Sequence, residues 1–241
     1  MQYKTRGIIL GISSYSDLYS IALIYTEQFG KVSYMIAGRK AKTTRVPRSL
    51  FYAMSALDLE VEHRNLREIQ RIKEAKATFP QISLLTNPIK STIAIFIAEL
   101  TGKVVVETQE NRLLFDYLFH SAEILELTEK PCSNFHLAFM VGLTRFLGIF
   151  PDGSAYQNGM YFNLRDGVFS EKRPAHPDFL GTEDSYALSK ILRINYENMS
   201  AYRFSRDERK SLIENMIHYY RLHLSGFGEI RSLEVLHEVF E

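Results

Sequence analysis

The sequence predicts an α+β protein: a small β-barrel over residues 1–80, followed by an α-helical domain over residues 81–241 with a short hairpin insertion. Three observations carry this. Period-two alternation of β-rich residues is confined to the first part of the chain, whereas apolar positions beyond Pro80 recur at helical spacing. Thr78-Phe79-Pro80 is a natural break, because proline disfavours helix at the residue before it. Charge changes sign at the same place: residues 1–80 carry 13 Lys/Arg against 7 Asp/Glu, a net +6, and the remainder 16 against 21, a net −5. Opposite signs suggest different partners for the two parts.

The strands follow in order. Arg6 to Ile12 is a short apolar strand. Tyr19, Ile21, Leu23 and Tyr25 alternate with Ser20, Ala22, Ile24 and Thr26. Gln28-Phe29-Gly30-Lys31 supplies a turn into Val32, Tyr34 and Ile36, which alternate with Ser33, Met35 and Ala37. Leu57, Leu59 and Val61 alternate with Asp58, Glu60 and Glu62, the pattern of a half-buried strand. Leu66, Ile69 and Ile72 are spaced by three, so helix and fifth strand both remain open there. Four or five short strands in this length fit an OB-fold, whose faces and loops commonly bind oligonucleotides.

Beyond Pro80, Lys90 to Val106 and Asn111 to Leu127 read as helices, and Asn134 to Leu147, apolar nearly all round, as the central one. Gly148 is its stop, with Pro151 beyond. Residues 150–181 carry turn signals instead, with Tyr161-Phe162-Asn163 and Val168-Phe169 placed to pair across Arg165-Asp166-Gly167. Helix resumes from Glu183 to Ile194. Ser205-Arg206-Asp207-Glu208 is a capping box opening a helix to about Leu224, and residues 229–240 suit a last helix.

Composition excludes several classes. At 46% hydrophobic and 24% charged, the chain is not disordered by composition. Its longest apolar run, Leu137 to Leu143, is seven residues, far short of the roughly 20 a membrane span needs, and no signal-peptide pattern opens it. One cysteine, Cys132, permits no intrachain disulfide and none of the common structural zinc sites. Catalytic arrangements are equally sparse. His218 and His223 lie five apart and do not form an i,i+4 metal pair; no P-loop or Gly-x-Ser-x-Gly occurs; and Asp58, Glu60 and Glu62 are explained by strand alternation without a metal-binding nuclease site. No enzyme and no cofactor are expected.

The basic charge is concentrated. From Gln28 to Leu57 there is no acidic residue, while Lys31, Arg39, Lys40, Lys42, Arg45 and Arg48 are interleaved with Phe29, Tyr34, Phe51 and Tyr52. Cations that follow phosphates and rings that stack on unpaired bases suit a single-stranded nucleic acid. Lys31, Tyr34, Arg39, Lys40, Lys42, Arg45 and Arg48 are the expected DNA-binding residues. Composition alone leaves open an ordinary solvated loop with its aromatics in the core.

The ordered set Gly7-Ile8-Ile9-Leu10, Tyr15-Ser16-Asp17, Tyr25-Thr26-Glu27-Gln28-Phe29-Gly30-Lys31 and Ala37-Gly38-Arg39-Lys40 resembles the amino-terminal part of the RecO family of bacterial recombination mediators. Glu99-Leu100, Leu147-Gly148-Ile149-Phe150-Pro151, Tyr220-Arg221-x-His223 and Ser232-Leu233-x-Val235-Leu236 extend the resemblance over nearly the whole length. The match departs at Ser16, where a glycine is usual, and at residues 150–181, where many members carry a four-cysteine zinc module and this chain has no cysteine. A metal-free hairpin is expected there. The resemblance implies an OB domain joined to an α-helical domain, and a cytoplasmic, nucleoid-associated DNA-repair protein without catalytic activity. It implies binding to single- and double-stranded DNA, annealing of complementary strands, and, with RecR, loading of RecA onto strands coated by single-strand binding protein. The acidic tail of that protein needs an apolar pocket with local cations, for which Arg112, Lys130 and Arg145 offer themselves. Two other classes stay open: an RNA-binding OB protein, and a scaffold whose basic loop binds acidic protein.

Overall fold

The computed structural model of the chain describes residues 1–38, 46–64, 66–106 and 108–239. Contacts group the chain into two compact units, residues 1–128 and 129–241.

The first unit is built on five strands closed into a barrel in the order β1-β2-β3-β5-β4, the OB-like arrangement: β1 (Gln2–Ser14), β2 (Tyr19–Thr26), β3 (Gly30–Ala37), β4 (Ala56–Glu62) and β5 (Ile69–Ala77). Closure depends on β1, which is longer than the sequence pattern suggests. It pairs with β4 from Gln2 to Ile8 and with β2 from Gly7 to Ser14. A bulge between Ile9 and Gly11 inserts Leu10 and bends the strand between its two partners. The ambiguous segment after Leu66 is a strand, running parallel to β3 and antiparallel to β4. Inward-pointing Ile9, Ala22, Ile24, Tyr34, Ile36, Leu57, Leu59 and Val61 form the barrel core.

Three helices complete this unit: α1 (Ser83–Thr86), α2 (Pro88–Val104) and α3 (Arg112–Leu127). Asn87 caps α2, its side chain accepting from the Ile89 and Lys90 amides, with Pro88 at the first helical position. The Glu126 carboxylate accepts the Ile82, Ser83 and Leu84 amides at 2.8–2.9 Å, and Lys90 Nζ donates to the Glu126 carbonyl at 2.7 Å, tying α1 and α2 to α3.

The second unit contains α4 (Phe135–Phe146), a three-stranded sheet of β6 (Tyr161–Asn163), β7 (Val168–Ser170) and β8 (Phe179–Leu180), then α5 (Thr182–Ile191), α6 (Arg206–His223) and α7 (Ser232–Val239). Helix α4 is buried nearly all round, and Gly148 follows it at φ +70°, the left-handed geometry a helix stop requires. The Ser205/Glu208 capping box forms in full at the start of α6.

The cysteine-free hairpin is fastened by side-chain contacts. Asp178 accepts from Arg165 Nε at 2.7 Å and lies 3.1 Å from His218 Nε2. The Tyr219 hydroxyl donates to the Ile149 carbonyl at 2.9 Å, and His223 Nε2 meets the Leu164 carbonyl at 2.8 Å. Phe162 and Phe169 pack edge to face at 4.9 Å. The residues present do not fit a zinc ion, and the two histidines of α6 instead fasten the hairpin to that helix.

Candidate nucleic-acid interface

Strand register decides which of the barrel's cations are available to phosphate. On the wall formed by β1, β4 and β5, alternation turns Lys4 and Arg6, Asp58, Glu60 and Glu62, and Arg71, Glu74 and Lys76 outward. Lys4 lies opposite Glu60, Arg6 opposite Asp58, and Asp58 opposite Lys76. Lys76 Nζ is 3.7 Å from Asp58. Arg6 makes a bidentate pair with Glu27 at 2.8 and 3.0 Å, and its guanidinium lies over the Phe119 and Phe115 rings at 4.8 and 5.1 Å. The hydrogen bond from Arg6 holds the Glu27 carboxyl below its ordinary range, and the same bond raises the arginine. Opposite charges here cancel each other's field over a wall that encloses a shallow groove of about 530 Å³. Among the described residues no group of histidine, cysteine and carboxylates is placed to hold a metal.

The end of the barrel where β2 begins and β3 finishes differs. The β1–β2 turn is closed by the Tyr15 and Ser16 amides, which donate to the Tyr19 carbonyl at 3.2 and 2.9 Å, and by the Tyr19 amide, which donates to Ser16 Oγ at 3.2 Å. The Gly38 amide donates to the Leu18 carbonyl at 2.8 Å. A Cβ at Gly38 would stand 2.7 Å from Leu18 C and Tyr19 N, so only glycine allows this approach. Arg48 Nη1 donates to Ser20 Oγ at 2.9 Å and to the Ala37 carbonyl at 3.3 Å. Residues 38 and 48, on either side of the basic run, are therefore both fixed to the start of β2 and the end of β3. Beside them, a groove of about 350 Å³ is lined by Met35, Ala37, Val46 and Ile72 with Arg71, Lys73 and Glu62. Arg71 and Lys73 are exposed, Arg71 facing Met35 in the parallel register with β3 and Glu62 in the antiparallel register with β4. Glu62 is held low chiefly by its hydrogen bond from Arg64, which engages it directly.

The residues expected from the sequence fare unequally. Tyr34 is a correction: it is 0% exposed in the barrel core, and its hydroxyl finds no hydrogen-bond partner there. It shares the inward side of β3 with Ile36, so no base can reach the ring while the barrel is folded, and desolvation drives its pKa far upward. Lys31 is committed elsewhere. Its Nζ donates to the Gly102 carbonyl at 3.1 Å in the last turn of α2, a favourable position for a cation, and burial lowers its pKa. Arg48 anchors the strand ends as described. Arg39, Lys40, Lys42 and Arg45 lie outside the described residues. Arg71 and Lys73 were not singled out from the sequence; their outward placement follows from the alternation of β5 with β4 once that segment is read as a strand. Of the cations suggested for a protein tail, Arg112 is 3.7 Å from Asp116 and Arg145 lies 3.7 Å over the Phe150 ring.

Among the described residues no helix is long and apolar enough to cross a membrane. Comparison with known proteins agrees with the fold. Residues 1–80 match the family profile described as Recombination protein O N terminal, and residues 85–234 the one described as Recombination protein O C terminal. A DNA repair protein RecO from Azobacteroides pseudotrichonymphae is 48% identical over 241 residues, covering 100% of both chains. Proteins of the same name from Phocaeicola vulgatus and Bacteroides fragilis are 38% and 36% identical, again over 100% of both chains. The ordered motifs, the OB-like barrel and these full-length matches place the chain in the RecO family, with a role in DNA repair and recombination.

Proposed function

We propose that the barrel binds single- and double-stranded DNA along its β3–β5 groove and the adjoining basic run, contacting phosphates through Arg39, Lys40, Lys42, Arg45, Arg71 and Lys73. In this reading the protein is a non-catalytic mediator that anneals complementary strands. With RecR it assists the loading of RecA onto strands coated by single-strand binding protein, in the bacterial cytoplasm at the nucleoid. The net −5 of residues 81–241 supports protein contacts rather than broad DNA contact for that region. The observation that carries the DNA site is the contrast in charge balance. Arg71 and Lys73 are exposed beside the fixed ends of an acid-free segment, and the one carboxylate of their groove, Glu62, faces Arg71 and is also engaged by Arg64, whereas on the β1–β4–β5 wall Lys4, Arg6 and Lys76 meet Glu27, Asp58, Glu60 and Glu74. Each phosphate neutralised releases condensed counterions, so affinity falls steeply with salt. Two strands held with their charges screened and bases exposed can pair.

The test is a titration of a fluorescent oligonucleotide at several salt concentrations, with matched RNA as competitor. Steep salt dependence and preference for DNA support the reading. Salt-independent binding overturns the phosphate site, and preference for RNA moves the protein to a different substrate.

A further inference from the structure

We infer that Tyr15 and Tyr19, at the β1–β2 turn, form a stacking platform for unpaired bases and make the site selective for single strands over duplex. This rests on the proposed DNA reading and adds residues and a preference to it. Tyr15 is 60% exposed and Tyr19 48%, with Leu18 exposed between them. Among the described residues neither ring has an aromatic partner. Three exposed apolar side chains on one turn make a small patch with room for a flat ligand. The turn beneath them is rigid, closed by the two amides that donate to the Tyr19 carbonyl and by Ser16 Oγ, so little ordering is needed on binding.

Position argues for bases rather than another apolar partner. Tyr19 lies opposite Ala37 in the β2–β3 register, and Ala37 lines the groove that holds Arg71 and Lys73. The Gly38 amide is bonded to Leu18, and Arg48 to Ser20 and Ala37. Tyr19 thus stands beside a groove that carries two exposed cations, with Tyr15 on the same turn, a combination that a flexible polyanion with stackable bases fits. A duplex, with its bases already stacked, has nothing to offer these rings.

The chain contains no tryptophan, so Tyr19→Trp creates a single reporter. In the full-length protein, emission from Tyr19→Trp should be quenched by oligo-dT and not by an abasic strand of equal length. The double variant Tyr15→Ala/Tyr19→Ala should lose about tenfold or more in affinity for oligo-dT. Its salt slope, its affinity for duplex and its affinity for the abasic strand should be unchanged, and Tyr15→Phe/Tyr19→Phe should bind as the parent does. Equal losses on all three ligands, or no loss on oligo-dT, overturn the inference; in the latter case the rings serve a protein partner. If the parent protein shows no salt-dependent binding at all, the DNA reading itself fails, which is a distinguishable result.

Discussion

The wall of the barrel built from β1, β4 and β5 and the groove between β3 and β5 are made from similar residues, yet they present opposite surfaces to an anion. On the wall, Lys4 faces Glu60 and Lys76 lies 3.7 Å from Asp58, while Glu60 also faces Glu74, so carboxylates outnumber cations. In the groove, Arg71 faces Met35 on β3 and Glu62 on β4, and Glu62 is already engaged by Arg64, so cations outnumber the carboxylate there. Counting cations alone therefore misleads, and the local balance of cations against carboxylates sets the field each surface presents. Exposed ion pairs of this type contribute only about 0–1 kcal/mol to stability, so their main effect is on the field outside the barrel.

The largest test of this contrast replaces Arg39, Lys40, Lys42 and Arg45 together with Ala. Each lost phosphate contact removes about 0.7 from the slope of log affinity against log salt for a single strand. Four losses should flatten the slope by about 3 and lower affinity about 100-fold or more at 0.1 M salt. Measured by anisotropy, an unchanged slope removes the basic run from the interface. Next comes the groove itself. Arg71→Ala/Lys73→Ala should flatten the slope by about 1.4 and weaken binding about 20-fold, while leaving urea denaturation nearly unchanged because both side chains are exposed. If this pair has no effect, the DNA path does not cross β5.

How much of this was legible in the sequence depends on whether the deciding contact is local. Strands β2, β3 and β4 could be read because one parity of each is apolar. The same parity held the answer for Tyr34, which shares it with Val32 and Ile36 and so belonged to the core despite its basic surroundings. Strand β5 was obscured because its pairing with β4 is interrupted by an irregularity between Glu60 and Val61, where Glu74 and then Ile72 are the partners. That irregularity breaks the period-two pattern and left the spacing of Leu66, Ile69 and Ile72 to suggest a helix. Strand β8, at two residues, carries no periodicity at all. The fate of Lys31 was not legible, since it depends on α2 bringing the Gly102 carbonyl from 71 residues away. The Ser205/Glu208 box was legible in full because all its atoms lie within one turn.

A smaller effect separates stability from binding on the wall. Glu27 is held below its ordinary pKa first by its hydrogen bond to Arg6. A lowered carboxyl contributes stability that is present above the carboxyl's unfolded value and lost as pH falls through the folded one. Glu27→Gln should therefore destabilise the protein by about 1 kcal/mol at pH 7, and the difference from the parent should shrink as pH drops through the carboxylate range. Urea denaturation at pH 7 and pH 4 reads this. A difference that stays constant with pH would show that the Arg6–Glu27 contact is packing rather than charge.

The smallest expected change is the most discriminating. Lys4→Ala/Lys76→Ala removes as many charges as the groove variant, from the same barrel, but from a wall where carboxylates outnumber cations. A general attraction between a positive barrel and DNA predicts equal losses for the two double variants, because net charge falls equally. Control by local charge balance predicts a loss of less than about twofold for the wall variant, since beyond a Debye length of about 10 Å at 0.1 M salt the remaining influence of those lysines is screened. The reciprocal variant, Asp58→Asn/Glu60→Gln, uncovers the same lysines without adding a cation. If it creates a second, salt-sensitive mode of binding while Lys4→Ala/Lys76→Ala leaves the first untouched, Asp58 and Glu60 are what keep DNA off this wall.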